Sequence, residues 1–298
     1  MNPCRLCPRE CGIDRQKVRS FCHAGEEILL SHSMLHKWEE PCISGKNGTG
    51  AVFFGGCPLG CVYCQNAKIV RGELGREKTP HELADLLFEL KNEGAHNIDL
   101  VTPTHFWDRI DEALTEAISR GFNLPVIANT GGFEKAEILS RFATRIDVFL
   151  TDFKYLYPES AGRYSAFPRY ADFALPALRK MREMTEKTVF DEDGMIQKGV
   201  IVRHLVLPEH TEESKAILSL LYEEFGNEIA YSIMNQYTPP KSIGETYPEL
   251  AKPLNRIAYK QVVRHAERIG ITNGFIQEGG TVSESFIPAF GEESQTGF

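Results

Sequence analysis

The sequence predicts an α/β protein built on a parallel sheet. Three observations carry that expectation. Short β-rich runs alternate with helical patterns from about residue 46 onward, the alternation repeats through six units, and a helical pattern separates each run from the next. Neighbouring strands can run parallel only when such a crossover carries the chain back. A chain of 298 residues, 42% hydrophobic and 25% charged, has material for one such domain plus a small appendage.

The first run, Ala51-Val52-Phe53-Phe54, ends at Gly55-Gly56. Thr79 and Glu82 then make a capping box with Pro80 at the first helical position, and Leu83, Leu86, Leu87 and Leu90 recur at helical spacing before Gly94. A strand over Asn97 to Thr102 precedes a helix using Ile110, Ala113, Leu114, Ala117 and Ile118, which stops at Gly121. Further strands are expected at Leu124 to Asn129, Ile146 to Asp152, Gly199 to Leu207 and Ile229 to Met234. Helical patterns fall near 134–142, 172–187, 211–225 and 250–270. Periodicity leaves open whether the six units curl into a partial barrel or spread into a doubly wound sheet. In either case ligands gather at the carboxyl ends of the strands. The polar residues there are Thr102 and Thr104, Asn129 and Thr130, Asp152 and Lys154, Arg203 and His204, and Asn235 and Gln236. Gly291 to Phe298 reads as a frayed tail.

A net charge of -8, with no run of Lys and Arg interleaved with aromatics, argues against nucleic acid as a partner. Met1 to Leu6 lacks the apolar core of a signal peptide, and no stretch of about 18 apolar residues occurs, so a cytoplasmic chain without a membrane span is expected. All eight cysteines, Cys4, Cys7, Cys11, Cys22, Cys42, Cys57, Cys61 and Cys64, precede residue 65. Clustered thiols in a long chain without an export signal point to metal or redox chemistry rather than disulfides.

Cys57, Cys61 and Cys64 follow the first strand in a C-x-x-x-C-x-x-C loop, Gly55-Gly56-Cys57-Pro58-Leu59-Gly60-Cys61-Val62-Tyr63-Cys64. That spacing lets three thiolates converge on one 4Fe-4S cubane, and three ligands for four irons leave one iron open. An open position is what separates a reactive metal site from a closed structural one. A zinc site would want a fourth ligand nearby, and the next histidine, His81, lies beyond a helix start.

The triad, Tyr63 before its last cysteine and the serial β-α units together resemble the radical S-adenosylmethionine superfamily. Within it the likeness is to enzymes related to the pyruvate formate-lyase activating enzyme that carry an N-terminal C-x-x-C-P-R-x-C segment, and it runs from Cys4 to about Gln277. The resemblance implies a partial (β/α)6 barrel over residues 46–280, between a cysteine-rich metal-binding segment at 1–45 and a tail at 281–298. It implies a 4Fe-4S cluster whose open iron is chelated by S-adenosyl-L-methionine, reductive cleavage of that cofactor, and hydrogen abstraction by the 5'-deoxyadenosyl radical. The cofactors carry such chemistry while the protein orients them. Position by position, Asp152-Phe153-Lys154 and Arg203 resemble segments that meet the cofactor's polar groups, and Asn129-Thr130-Gly131-Gly132 resembles a turn that meets its ribose. Tyr63, Thr102 and Thr104 complete the implied cofactor contacts. One departure stands out: a Gly-Gly-Glu segment is common after the second strand, where this chain has Thr102-Pro103-Thr104-His105.

Cys4, Cys7, Cys11 and Cys22 supply four more thiolates, enough to close a zinc tetrahedron or to hold a second 4Fe-4S cluster. Cys42 is left over and reads as a buried apolar thiol. Between 153 and 173 seven aromatic residues crowd together, and packing under a long connection explains them more simply than a ligand pocket. Three functions fit. An activase would install a radical on a partner glycyl radical enzyme, and a second kind of radical enzyme would modify a small molecule or a peptide. Either would draw electrons from a donor such as flavodoxin or ferredoxin. A non-catalytic iron-sulfur electron-transfer protein is the third, and the open iron argues against it.

Overall fold

In the computed structural model, which describes residues 3–241 and 243–276, seven strands run parallel in unbroken chain order. The chain begins with β1 (Ile28–His36), α1 (Pro41–Ser44), β2 (Thr49–Phe54), α2 (Ala67–Val70) and β3 (Arg76–Lys78). It continues through α3 (Pro80–Asn92), β4 (Ile98–Val101), α4 (Trp107–Ser119), β5 (Val126–Thr130), α5 (Ala136–Phe142) and β6 (Val148–Asp152). After α6 (Pro158–Ser165) and α7 (Tyr170–Thr185) come β7 (Val189–Phe190), β8 (Ile196–Leu205), α8 (Thr211–Phe225), β9 (Ala230–Met234), α9 (Arg256–Ile269) and β10 (Gly274–Ile276). The frayed tail and the 281–298 segment expected above lie outside the described residues.

The sheet order is β10-β9-β8-β6-β5-β4-β2-β1-β3. From β2 to β10 every neighbouring pair is parallel, and β1 joins β2 and β3 antiparallel at the edge. A doubly wound sheet needs a point where strand order reverses. This order never reverses, so right-handed crossovers lay successive helices on the same face and the sheet curls. The architecture is therefore the α/β partial barrel, and the doubly wound alternative is set aside.

Strand alternation sorts the side chains into two cores. Val52, Leu100, Val126, Ala128, Phe149, Val200, Val202 and Ile233 point outward and pack with Leu83, Leu87, Ile110, Leu114, Leu139, Leu178, Ile217 and Val262 of the helices. Ile127, Val148, Leu150, Ile201 and Ala230 point inward and meet Cys42 and Ile43 of α1. The connection between β1 and β2 thus plugs the concave face. Cys42, 7% exposed in that plug, is the apolar thiol expected, and burial pushes its pKa to about 12.

Several local expectations meet their atoms. Thr79 and Glu82 form the reciprocal capping box at α3. β1 was not anticipated: residues 28–36 fall in the stretch assigned to the cysteine-rich segment, yet they pair with β2 in the barrel sheet. Its burial depends on pairing with a strand whose residues lie 13 to 24 positions further on, which local pattern does not reveal. Nor does the N-terminal segment stand on its own core, because Cys4 and Leu6 pack into the main one. Among the described residues no helix is long and apolar enough to cross a membrane.

Candidate active site

The loop after β2 brings Cys57, Cys61 and Cys64 to the carboxyl ends of the parallel strands, where they line a cavity of about 180 Å³. Gly56 makes this turn at φ +85, and a Cβ there would stand 2.0 Å from the Cys22 carbonyl oxygen, so only glycine fits. Tyr63, Thr102, Thr104, Asn129, Thr130, Asp152, Lys154 and Arg203 share the cavity wall. The structure therefore gathers every candidate cofactor contact named from sequence around the three thiols. The inward register accounts for three of them: Asn129, Asp152 and Arg203 follow Ile127, Leu150 and Ile201 by two residues each and so point to the same face. A second lobe of about 250 Å³ shares Cys64, Asp152 and Arg203 and reaches Trp38, Glu39, Gln65 and Gln236. The larger surface cavity of about 370 Å³, beside Arg15, Arg109 and Arg141, contains none of the cysteines.

Asp152 is the electrostatic hub. It accepts from Lys154 Nζ and from Arg203 Nε, the latter at 2.9 Å. Burial alone would raise its carboxyl, and the two cations outweigh that and hold it below the usual range. Arg203 also donates to Asn129 Oδ1 and, at 3.1 Å, to Glu39 Oε2. Asn129 Nδ2 in turn donates to Asp99 Oδ2 at 3.1 Å. One network thus ties β4, β5, β6 and β8 to the plug, and two carboxylates compensate the buried Arg203 charge. Burial pushes Glu39 up, and Asp99 well up. Sequence reasoning missed both. Asp99 carried a signal, a lone carboxylate inside an apolar strand; nothing local marks Glu39.

Behind the cysteine loop, Tyr63 Oη, Tyr155 Oη and Ser165 Oγ form a chain of hydrogen bonds, each 2.8 Å long. It ends with Ser165 Oγ donating to Cys61 Sγ at 3.1 Å. Four of the seven aromatic residues in the 153–173 stretch pack as expected, Phe153, Tyr155, Tyr164 and Tyr170 being at most 1% exposed, whereas Tyr157 is 44% exposed. Tyr170 Oη also takes the Lys154 N–H at 3.0 Å and donates to the Gly131 carbonyl at 2.9 Å, which fixes two strand-end turns against each other. His204 is absorbed structurally, bonded to the Phe153 carbonyl and Ser214 Oγ.

The N-terminal segment docks against this loop. Arg9, between Cys7 and Cys11, donates to the carbonyls of Pro58, Leu59 and Ser165 and stacks 3.7 Å from the Phe21 ring centroid. Arg15 reaches the carbonyls of Gly25 and His105. Burial pushes the Cys7 thiol to about 12 and raises Cys22, and the four thiols Cys4, Cys7, Cys11 and Cys22 stand close enough that charge on Cys4 or Cys11 raises both further. Among the described residues no three His, Cys, Asp or Glu side chains close around a single ion.

A model of the radical SAM superfamily matches residues 51–221, from β2 to α8. The chain belongs to that superfamily. An uncharacterized protein, MJ0674, of Methanocaldococcus jannaschii is 27% identical to it over 276 residues, which cover 89% of this chain and 73% of that protein. SuiB of Streptococcus suis, solved bound to S-adenosylmethionine, superposes with a TM-score of 0.50 at 16% identity. That match covers 78% of this chain and 50% of SuiB, so the chain spans about half of SuiB's length, and the likeness is one of fold. Radical SAM proteins use a 4Fe-4S cluster and S-adenosylmethionine, and the residues present suit both. A cubane's ligands stand on separate irons, so three thiols spread along one cavity wall fit it better than they fit a single ion. Cys61 Sγ already accepts the hydrogen bond that a ligating sulfur would keep.

Proposed function

We propose that this chain abstracts a hydrogen atom from a substrate held in the second lobe, with Cys57, Cys61 and Cys64 ligating the cluster and S-adenosylmethionine lying against the strand ends. The observation that carries this reading is the convergence of the three thiols with Thr102, Thr104, Asn129, Thr130, Asp152, Lys154 and Arg203 on one cavity that continues into a second lobe. When bound, the cluster would supply the electron for reductive cleavage of S-adenosylmethionine. The chain's own residues bind and orient. Lys154 and the Arg203 guanidinium present positive charge to the cofactor's carboxylate, and Asp152 holds both cations in place. Tyr63 and the buried tyrosines behind it keep water from the cysteine loop.

The finer reading is an activating enzyme, whose substrate is a glycine of a partner glycyl radical enzyme. Incubation of anaerobically reconstituted protein with deuterated candidates tests both levels. Label passing from a glycyl-radical partner into 5'-deoxyadenosine supports the activase; label from a peptide or small molecule replaces it. Cys57→Ala, Cys61→Ala and Cys64→Ala should each abolish 5'-deoxyadenosine formation, and full activity in any of them would refute the ligand assignment.

Cys4, Cys7, Cys11 and Cys22 are assigned to a second metal centre, zinc or 4Fe-4S, on the strength of four neighbouring thiols in one small segment; because no three of them close around a single ion as they stand, zinc would need them to draw together. Metal analysis of the Cys57/Cys61/Cys64 triple alanine variant distinguishes the two metals. An intact fold with neither metal would remove the assignment.

A further inference from the structure

Glu134, two residues beyond the Gly131-Gly132 turn, is only 1% exposed. Its Oε1 accepts the Thr104 hydroxyl hydrogen at 2.5 Å, while its Oε2 is buried with no partner. Burial raises the carboxyl to about 7, against the Thr104 hydrogen bond that lowers it; Asp152 raises it further and Lys154 opposes. Thr104 itself stands on the wall of the cysteine cavity.

A threonine hydroxyl has one hydrogen and two lone pairs. Once Thr104 gives its hydrogen to Glu134, it shows the cavity lone pairs alone, on an oxygen made more basic by the carboxylate behind it. The Thr102-Pro103-Thr104-His105 segment contains no carboxylate. His105 offers no charge either: burial pushes its pKa to about 3, and its Nε2 is engaged with the Gly55 carbonyl at 2.9 Å. In this segment the side chain whose hydroxyl hydrogen is already committed, and whose oxygen is left to receive a cationic donor, is Thr104.

We propose that Glu134 is a positioning residue that fixes Thr104 as the acceptor for the α-ammonium group of S-adenosylmethionine. The assignment rests on the cofactor reading given above. It takes the place of the acidic residue missing from this segment: the carboxylate comes from the next strand's turn and acts through a hydroxyl. The Glu134 carboxylate keeps negative charge behind Thr104, and the arriving cation in turn favours its ionised form.

The test compares two ligands by calorimetry on anaerobically reconstituted protein: S-adenosylmethionine, and an analogue in which hydrogen replaces the α-amino group. Thr104→Val, which removes the acceptor, should weaken S-adenosylmethionine binding about tenfold or more, the loss expected for a charge-assisted hydrogen bond, and Glu134→Gln, which keeps an oxygen for the Thr104 hydroxyl but removes the charge behind it, should weaken it severalfold. Affinity for the analogue should stay unchanged in both variants, and Thr104→Ser should bind S-adenosylmethionine as the unmodified protein does. Equal weakening of both ligands would reveal a merely structural role and overturn the proposal, as would native affinity for S-adenosylmethionine in Thr104→Val. Failure of the unmodified, cluster-loaded protein to bind S-adenosylmethionine would instead refute the cofactor reading, and this proposal with it.

Discussion

Glu134→Gln should relieve the folded chain of a destabilisation that grows with pH. The Glu134 carboxyl is moved by burial from 4.5 to about 7 on folding. A group whose folded pKa is raised binds its proton more tightly when folded, so its stabilising contribution is complete below pH 4.5 and is lost as pH rises through 7. The whole displacement corresponds to about 3 kcal/mol, of which about 2 kcal/mol falls between pH 5.5 and pH 8. Glutamine cannot titrate but keeps an oxygen for the Thr104 hydroxyl. Its stability relative to the unmodified protein should therefore improve by about 2 kcal/mol across that interval, or roughly 3 °C in Tm. The assay is thermal unfolding of both proteins at matched cluster content and without S-adenosylmethionine. Taking the difference between two chains cancels every other titrating group, including Asp99 and Glu39. A Tm difference that stays constant from pH 5.5 to pH 8 would show that Glu134 is not buried as an ionisable carboxyl, and the reasoning would fail.

Ser165→Ala removes the donor to Cys61 Sγ; losing a hydrogen bond to a ligand sulfur should lower the cluster's reduction potential by about 20–60 mV in a spectroscopic redox titration, with iron content unchanged. Gly56→Ala places a Cβ 2.0 Å from the Cys22 carbonyl oxygen, so it should reduce iron loading and expose the first 27 residues to limited proteolysis. Gly94→Ala is the control, at φ +98 with no atom within 4 Å of its Cβ, and should do neither. Ile43→Ala should cost about 2–5 kcal/mol in denaturant unfolding, because a fully buried plug residue leaves a cavity inside the barrel.

The parallel strands and their helices were legible because each carries its own local signature. α8 is the clearest case, with its expected and observed limits both at 211–225. The triad was legible because its ligands sit within eight residues of one another on a loop entered through glycines. The strand-end candidates were legible for a geometric reason, since a parallel sheet gathers its carboxyl ends at one rim. Arg9 carries no local signal beyond its place in the C-x-x-C-P-R-x-C segment, and the Pro58 and Leu59 carbonyls it meets lie 49 and 50 residues away in sequence. Ser165 likewise meets Cys61 across 104 residues.

What the sequence determined by itself is the chemistry on offer: three clustered thiols, six β-α units and the polar residues at each strand's end, all set by periods and spacings of a few residues. Tertiary structure decided the rest. The unreversed strand order chose a curled sheet over a flat one, and the β1–β2 connection folded back to plug its concave face with Ile43 and deliver Glu39 to Arg203. Glu134 reached Thr104 across 30 residues and made an acceptor of its hydroxyl. These outcomes depend on which groups lose water together when distant segments meet, and an isolated stretch of chain holds no record of its future neighbours.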